Sequence, residues 1–107
     1  MREPKQVKIP FLERFREPML NGTKTMTSRT KIYGAKGDFF EAFSAEFRLD
    51  SVDAVPFAVI VPQWKAEGCS SRADFLGVWR QIHPRKVFED NELLFVHRFH
   101  RVGQRRA

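Results

Sequence analysis

A lysine, three threonines and an arginine crowd a glycine turn in Gly22-Thr23-Lys24-Thr25-Met26-Thr27-Ser28-Arg29, with Gly37-Asp38 and Glu67-Gly68 further along the chain. Such a cluster, joined by a carboxylate from a distant segment, suits work on a carbonyl or the gripping of a nucleotide. A threonine hydroxyl is a poor nucleophile at neutral pH and needs a base to take its proton during attack. Lys24 can be that base if burial or a neighbouring cation such as Arg29 lowers its pKa. Positions 24 and 27 fall on opposite faces of a regular strand, so Lys24 must sit in the loop after Gly22, or at a bulge, for amine and hydroxyl to meet.

The elements that would hold this cluster are short and mixed. Lys8 to Phe11 reads as an edge strand, where Pro10 is tolerated. Leu12 to Leu20 has helical spacing, with Phe11, Phe15 and Met19 along one side; Pro18 kinks or splits the helix, and Asn21-Gly22 stops it. Thr25 to Arg29 is threonine-rich and reads as a strand. A glycine-marked loop spans Tyr33 to Asp38, and Phe39 to Leu49 alternates as strand, turn near Ser44 and strand, with continuation through Val52 and Ala54. Ala58 to Val61 is an apolar run that periodicity does not assign, and Pro62 suits the first position of a short helix ending at Gly68. Ser71 and Asp74 resemble a capping box ahead of a helix whose buried stripe is Phe75, Leu76, Val78, Trp79 and Ile82, closed by His83-Pro84. Glu92 to Val102 is the last strand. Strands and short helices without regular βαβ alternation predict an α+β fold, a small, mostly antiparallel barrel with flanking helices.

Composition narrows the function. At 107 residues the chain fits one domain with a single core, to which eleven phenylalanines contribute, and 42% hydrophobic with 30% charged residues argues against disorder. No apolar run approaches the roughly 20 residues of a membrane helix and no signal-peptide core follows Met1, so a cytoplasmic protein without membrane contact is expected. A formal charge of +6 favours an anionic partner such as nucleic acid or a nucleotide, although a solubilising surface explains it as well. The basic residues recur from Lys5 to Lys36 and again at Arg98, Arg101, Arg105 and Arg106. Cys69, the single cysteine, stands before a helix start, where a thiol's pKa can fall, but a lone cysteine there reads foremost as a small loop filler. His97 and His100 lie on opposite faces of the last strand, so no metal site is expected, and no cofactor. Aromatic side chains that could stack on bases are Trp64, beside Gln63 and Lys65, and Tyr33, inside the basic loop that also carries Lys31 and Lys36. Trp79 belongs to the helical stripe and reads as core.

The ordered set Phe11, Arg14-Phe15, Gly22, Lys24-Thr25, Thr27, Arg29, Gly37-Asp38, Ala66-Glu67-Gly68, Phe75, Trp79, His83-Pro84 and Phe95 to Phe99 resembles the ASCH domain, from about Ile9 to Val102. That resemblance implies the five- or six-stranded barrel shared with RNA-binding PUA domains, and a cleft between barrel and helices. It includes a subgroup of small amidohydrolases that deacylate N4-acetylcytidine with a lysine, a threonine and a glutamate, which match Lys24, Thr27 and Glu67 here. The subgroup's Thr-Ile-Arg-Asp is Thr27-Ser28-Arg29-Thr30 in this chain, which bears on substrate choice. Two readings follow. In one, Lys24 activates Thr27 against the acyl carbonyl and Glu67 orients the substrate or protonates the leaving amine. In the other, the protein is a non-catalytic module for RNA or a modified pyrimidine nucleoside, or for a transcription-coregulator type of interaction, with Arg29, Lys31, Tyr33, Lys36 and Trp64 as contacts.

Overall fold

The computed structural model describes residues 3–104, so Arg105 and Arg106 lie outside the described residues. Four strands form one antiparallel sheet in the order β1-β4-β3-β2: β1 (Met26–Arg29), β2 (Phe39–Ala42), β3 (Ala45–Pro56) and β4 (Leu93–Gln104). The sheet curls into a half-barrel, and β1 and β2 remain its edges. This is the expected α+β architecture with a smaller sheet than the five or six strands that the resemblance implies.

The β2–β3 hairpin turns at Phe43 and Ser44, both with positive φ (53° and 64°), as a two-residue turn matched to strand twist requires. β3 runs on to Pro56, through the predicted Val52 and Ala54, with register shifts between Glu46 and Phe47 and between Leu49 and Ser51. Those irregularities let two long strands bend together. In β4, consecutive Val96 and His97 are both buried, and neighbours in a strand point to opposite faces. Both sides of the sheet are therefore covered at the point where β1 joins it. Phe40, Phe47 and Phe99 pack with ring centroids 5.3 to 5.6 Å apart, and Phe11 stacks on Phe40 at 5.6 Å.

The expected edge strand from Lys8 to Phe11 does not form. The N-terminal segment meets the sheet earlier, where the Val7 N–H donates to the Phe39 carbonyl at 2.8 Å and the Phe39 N–H to the Lys5 carbonyl at 3.1 Å. Pro10 has no N–H with which to extend that ladder, and its carbonyl is taken by Arg29 instead. The next segment divides as Pro18 demands: a 3-10 turn at Glu13–Phe15, then α1 (Arg16–Leu20), with the proline in the first turn, where its missing N–H costs little. Gly22, at φ 86°, turns the chain toward β1.

The undecided apolar run becomes α2 (Phe57–Ile60), and the short helix expected from Pro62 to Gly68 is instead a 3-10 turn at Val61–Gln63 followed by further turns to Gly68. Ser71 caps α3 (Arg72–Ile82) by accepting from the Asp74 N–H at 3.0 Å. Phe75, Val78 and Trp79 are buried; Leu76 is half-buried and Ile82 is 50% exposed, so the buried stripe is narrower than its spacing suggests. No helix among the described residues is long and apolar enough to cross a membrane.

Candidate functional site

The start of β1 is pinned to the turn before α3, because the N–H groups of Thr25 and Met26 both donate to the Ala66 carbonyl, at 2.8 and 3.2 Å. That attachment brings Glu67 against Lys24. Lys24 lies in the loop after Gly22, as required for a lysine that must reach beyond its own strand face. Its amine donates to the Met26 carbonyl at 2.9 Å, to the Glu67 carbonyl at 2.6 Å, and to Glu67 Oε1 at 3.5 Å. The Ser28 hydroxyl donates to the other carboxylate oxygen, Glu67 Oε2, at 2.5 Å. Gly68 permits this contact: a Cβ there would stand 3.0 Å from Cβ and Cδ of Lys24, and its φ of 88° suits glycine.

Thr27 belongs to a second set. It pairs with His97 across the strands, and its hydroxyl accepts from Arg29 Nε at 3.1 Å. The Arg29 guanidinium also donates to the Pro10 carbonyl at 2.5 Å and lies 5.1 and 5.3 Å from the ring centres of Phe11 and Tyr33. Tyr33 is fixed in turn by His97, whose Nε2 accepts the Tyr33 N–H at 3.0 Å while Nδ1 donates to the Phe95 carbonyl at 3.0 Å. That pattern requires a neutral ring with its proton on Nδ1.

Both sets open on one cleft of about 320 Å³, whose lining includes Lys24, Thr27, Ser28, Arg29, Tyr33 and Glu67. Aromatic and aliphatic side chains from the N-terminal segment and α3 complete its walls, among them Phe11, Phe75 and Trp79. Lys24, Thr27, Ser28 and Glu67 are each at most 5% exposed, so the polar floor is dry. Burial pushes the Lys24 amine below the usual lysine range, with Glu67 opposing and Arg29 adding to the fall. Burial likewise lowers the Arg29 guanidinium and the His97 ring. The Cys69 thiol also lines the cleft, and burial raises its pKa, so it stays protonated at neutral pH and is no ready nucleophile. The Trp79 indole N–H is buried without a hydrogen-bond partner among the described residues.

Five of the predicted site residues thus share the cleft: Lys24, Thr27, Glu67, Arg29 and Tyr33. Lys31, Lys36 and Trp64 do not line it. Lys31 stands above the Tyr33 ring at 4.9 Å, Lys36 is exposed, and Trp64 is half-buried against the core. Gly37-Asp38 does not line the cleft either, and the Asp38 carboxylate holds its own loop, accepting from the N–H groups of Ala35 at 2.9 Å and Lys5 at 3.1 Å. Ser28 is a cleft residue that the sequence pattern does not single out; strand alternation separates it from Thr27, and its hydroxyl serves a different partner. Trp79 is core, as expected, and wall of the cleft as well. Among the described residues no group of three or more His, Cys, Asp or Glu side chains is placed to hold a metal ion. His100 faces away to pair with Asp50 at 2.7 Å.

No family model matches the sequence, and no curated protein is significantly similar to it. Solved structures do match. An ASCH domain from Lactobacillus crispatus JV V101 aligns with a TM-score of 0.61 at 12% identity, over 92% of this chain and 80% of its own. This chain has the ASCH-domain fold. A hypothetical protein, PH0355, shares the ASCH-like architecture at a TM-score of 0.63 and 16% identity, covering 95% of this chain and all of its own (100%). Protein EF3133 of Enterococcus faecalis V583 aligns at 0.58 and 18% identity, over 95% and 82% of the two chains. At these identities the likeness concerns the ASCH fold; the chemistry rests on the cleft.

Proposed function

We propose that the cleft receives a pyrimidine base, as a free nucleoside or within RNA, and that the protein hydrolyses an N4-acyl amide on it through Lys24, Thr27 and Glu67. The observation that carries this reading is that those three side chains, from two distant segments, line one dry cleft wide enough for a base. Burial lowers the Lys24 pKa, which favours the neutral amine that a general base must be. The aromatic walls suit a planar ring. In this reading a hydroxyl of the floor attacks the acyl carbon, and the family resemblance assigns that role to Thr27. The C–N bond then breaks, the amine leaves with a proton, and water releases the acid from the acyl-enzyme.

The test is incubation with N4-acetylcytidine. Release of cytidine and acetate by the folded protein, absent after heat denaturation, is the expected result. No release at any protein concentration would remove the hydrolase reading.

One observation favours a second reading, a binding module without turnover. Each of the three Lys24 N–H directions already has an acceptor, and the Thr27 hydroxyl is held by Arg29 rather than by a base. A module of this kind binds cytidine or single-stranded RNA and leaves the amide intact. Contacts from Arg29 and the loop Lys31 to Lys36 to phosphates would make RNA affinity fall as salt rises, while nucleoside affinity would not.

A further inference from the structure

Thr27 and Ser28, the two hydroxyl side chains of β1 in the cleft lining, differ in what touches them. Thr27 Oγ1 accepts from Arg29 Nε at 3.1 Å, so its neighbour is a cation that takes no proton. Ser28 Oγ donates to Glu67 Oε2 at 2.5 Å, within the short range of a hydroxyl bound to a carboxylate. The second Glu67 oxygen faces the Lys24 amine at 3.5 Å, and all three side chains line the cleft. A nucleophile in contact with a base, and a base oriented by a third group, is the arrangement that acyl transfer needs. In this floor it is made by Ser28, Glu67 and Lys24, without Thr27.

The geometry points to Ser28 as the oxygen that accepts the acyl group, with Glu67 as its base and Lys24 as the residue that positions the carboxylate. This rests on the amide-hydrolysis reading and reassigns both the attacking atom and its base within it. Ser28 Oγ bonds to the acyl carbon as its proton passes to Glu67 Oε2. The tetrahedral carbon then expels the N4 amine, which takes the same proton from Glu67, leaving an acyl-serine ester. Water attacks the ester, gives one proton to Glu67, and releases the carboxylic acid; Ser28 recovers that proton. Nothing is oxidised or reduced. Thr27 and Arg29, which line the same cleft, are left to donate to the acyl oxygen.

The experiment is acid quenching of the full chain during turnover of N4-acetylcytidine, followed by peptide mass spectrometry. The acetyl group is expected on Ser28. Ser28→Ala should lower the turnover number at least about 100-fold. Ser28→Cys, of nearly the same size, keeps a nucleophile beside Glu67 and should accumulate an acetyl thioester at position 28, which separates lost chemistry from lost folding. In Thr27→Ala the acetyl group should still reach Ser28, at a reduced rate. An acetyl group on Thr27, or turnover by Ser28→Ala within about threefold of the unaltered protein, overturns the assignment and leaves the hydrolase reading standing. If N4-acetylcytidine is not cleaved, that reading fails. Acylation of Ser28 by p-nitrophenyl acetate, lost in Glu67→Gln, would then still support the serine as a nucleophile, and its absence would overturn that too.

Discussion

Two cation–carboxylate pairs tie distant segments of this protein together, and they are built for different purposes. Arg14 and Asp74 meet at the surface, with side chains 42% and 24% exposed and two hydrogen bonds of 3.2 and 2.6 Å. Lys24 and Glu67 meet under the cleft, with side chains 2% and 6% exposed. Water pays most of the solvation of the first pair and almost none of the second. A surface pair contributes roughly 0–1 kcal/mol, whereas a buried pair returns little net stability yet is costly to break. The buried pair is therefore poorly explained as a fastener. Its retention in a dry floor, with a serine on its carboxylate, fits a role in chemistry or recognition.

The largest expected effect comes from breaking the buried pair on one side. Glu67→Ala leaves the Lys24 amine buried among carbonyls and should lower unfolding stability by about 3–5 kcal/mol in urea denaturation. A loss below about 1 kcal/mol would place the two pairs in one class. Sharpening follows from replacing both partners: Lys24→Met with Glu67→Leu should recover most of that loss, since apolar side chains of similar volume often substitute for a buried ion pair at no cost. A double variant no more stable than Glu67→Ala would show that the pair itself holds the fold.

The same logic reaches His97. Its folded-state pKa is lowered by burial, so the unfolded chain binds its proton more readily. Stability from this group is complete above the ordinary histidine value of about 6.5 and declines as pH falls below it toward the folded value. Protonation also places a second N–H against the Tyr33 amide, which now donates to Nε2. His97→Gln should flatten the loss of stability between pH 7 and pH 5, roughly, as followed by thermal unfolding across that range.

The smallest effect belongs to the surface pair. Arg14→Ala should cost no more than about 1 kcal/mol, and the cost should shrink in molar salt. Asp74 is held down to about 2, chiefly by its hydrogen bond from Arg14 and by the Ser70 amide. Its contribution is present above the ordinary aspartate range and fades as pH falls through about 2. Acid titration followed by circular dichroism checks that window.

Legibility in the sequence follows the same division. Local devices were readable: the Ser71 cap, the stops at Gly22 and Gly68, the hairpin after Phe39 and the helix from Arg72 each depend on neighbours in the chain. The meeting of Lys24 with Glu67, 43 positions apart, was reachable only through a family pattern. Which hydroxyl each partner touches was not readable at all, because Ser28 and Thr27 are adjacent and the choice depends on where Ala66 and Arg29 dock. The Lys8 to Phe11 strand failed for a related reason: the sheet edge selected Lys5 and Val7, and no local preference encodes that register.

The strand order carries a consequence for how the protein folds. β2 and β3 are neighbours in sequence, joined by a two-residue turn, so that hairpin closes a short loop. β1 pairs with β4, and Met26 faces Arg98 only after the whole intervening chain has been gathered in. Loop closure of that length is slow, and non-local pairings dominate folding times. The cleft floor is therefore among the last parts to assemble. A nascent chain should show no ligand binding until β4 has emerged, and the arrival of binding would serve as a clock for the final folding step.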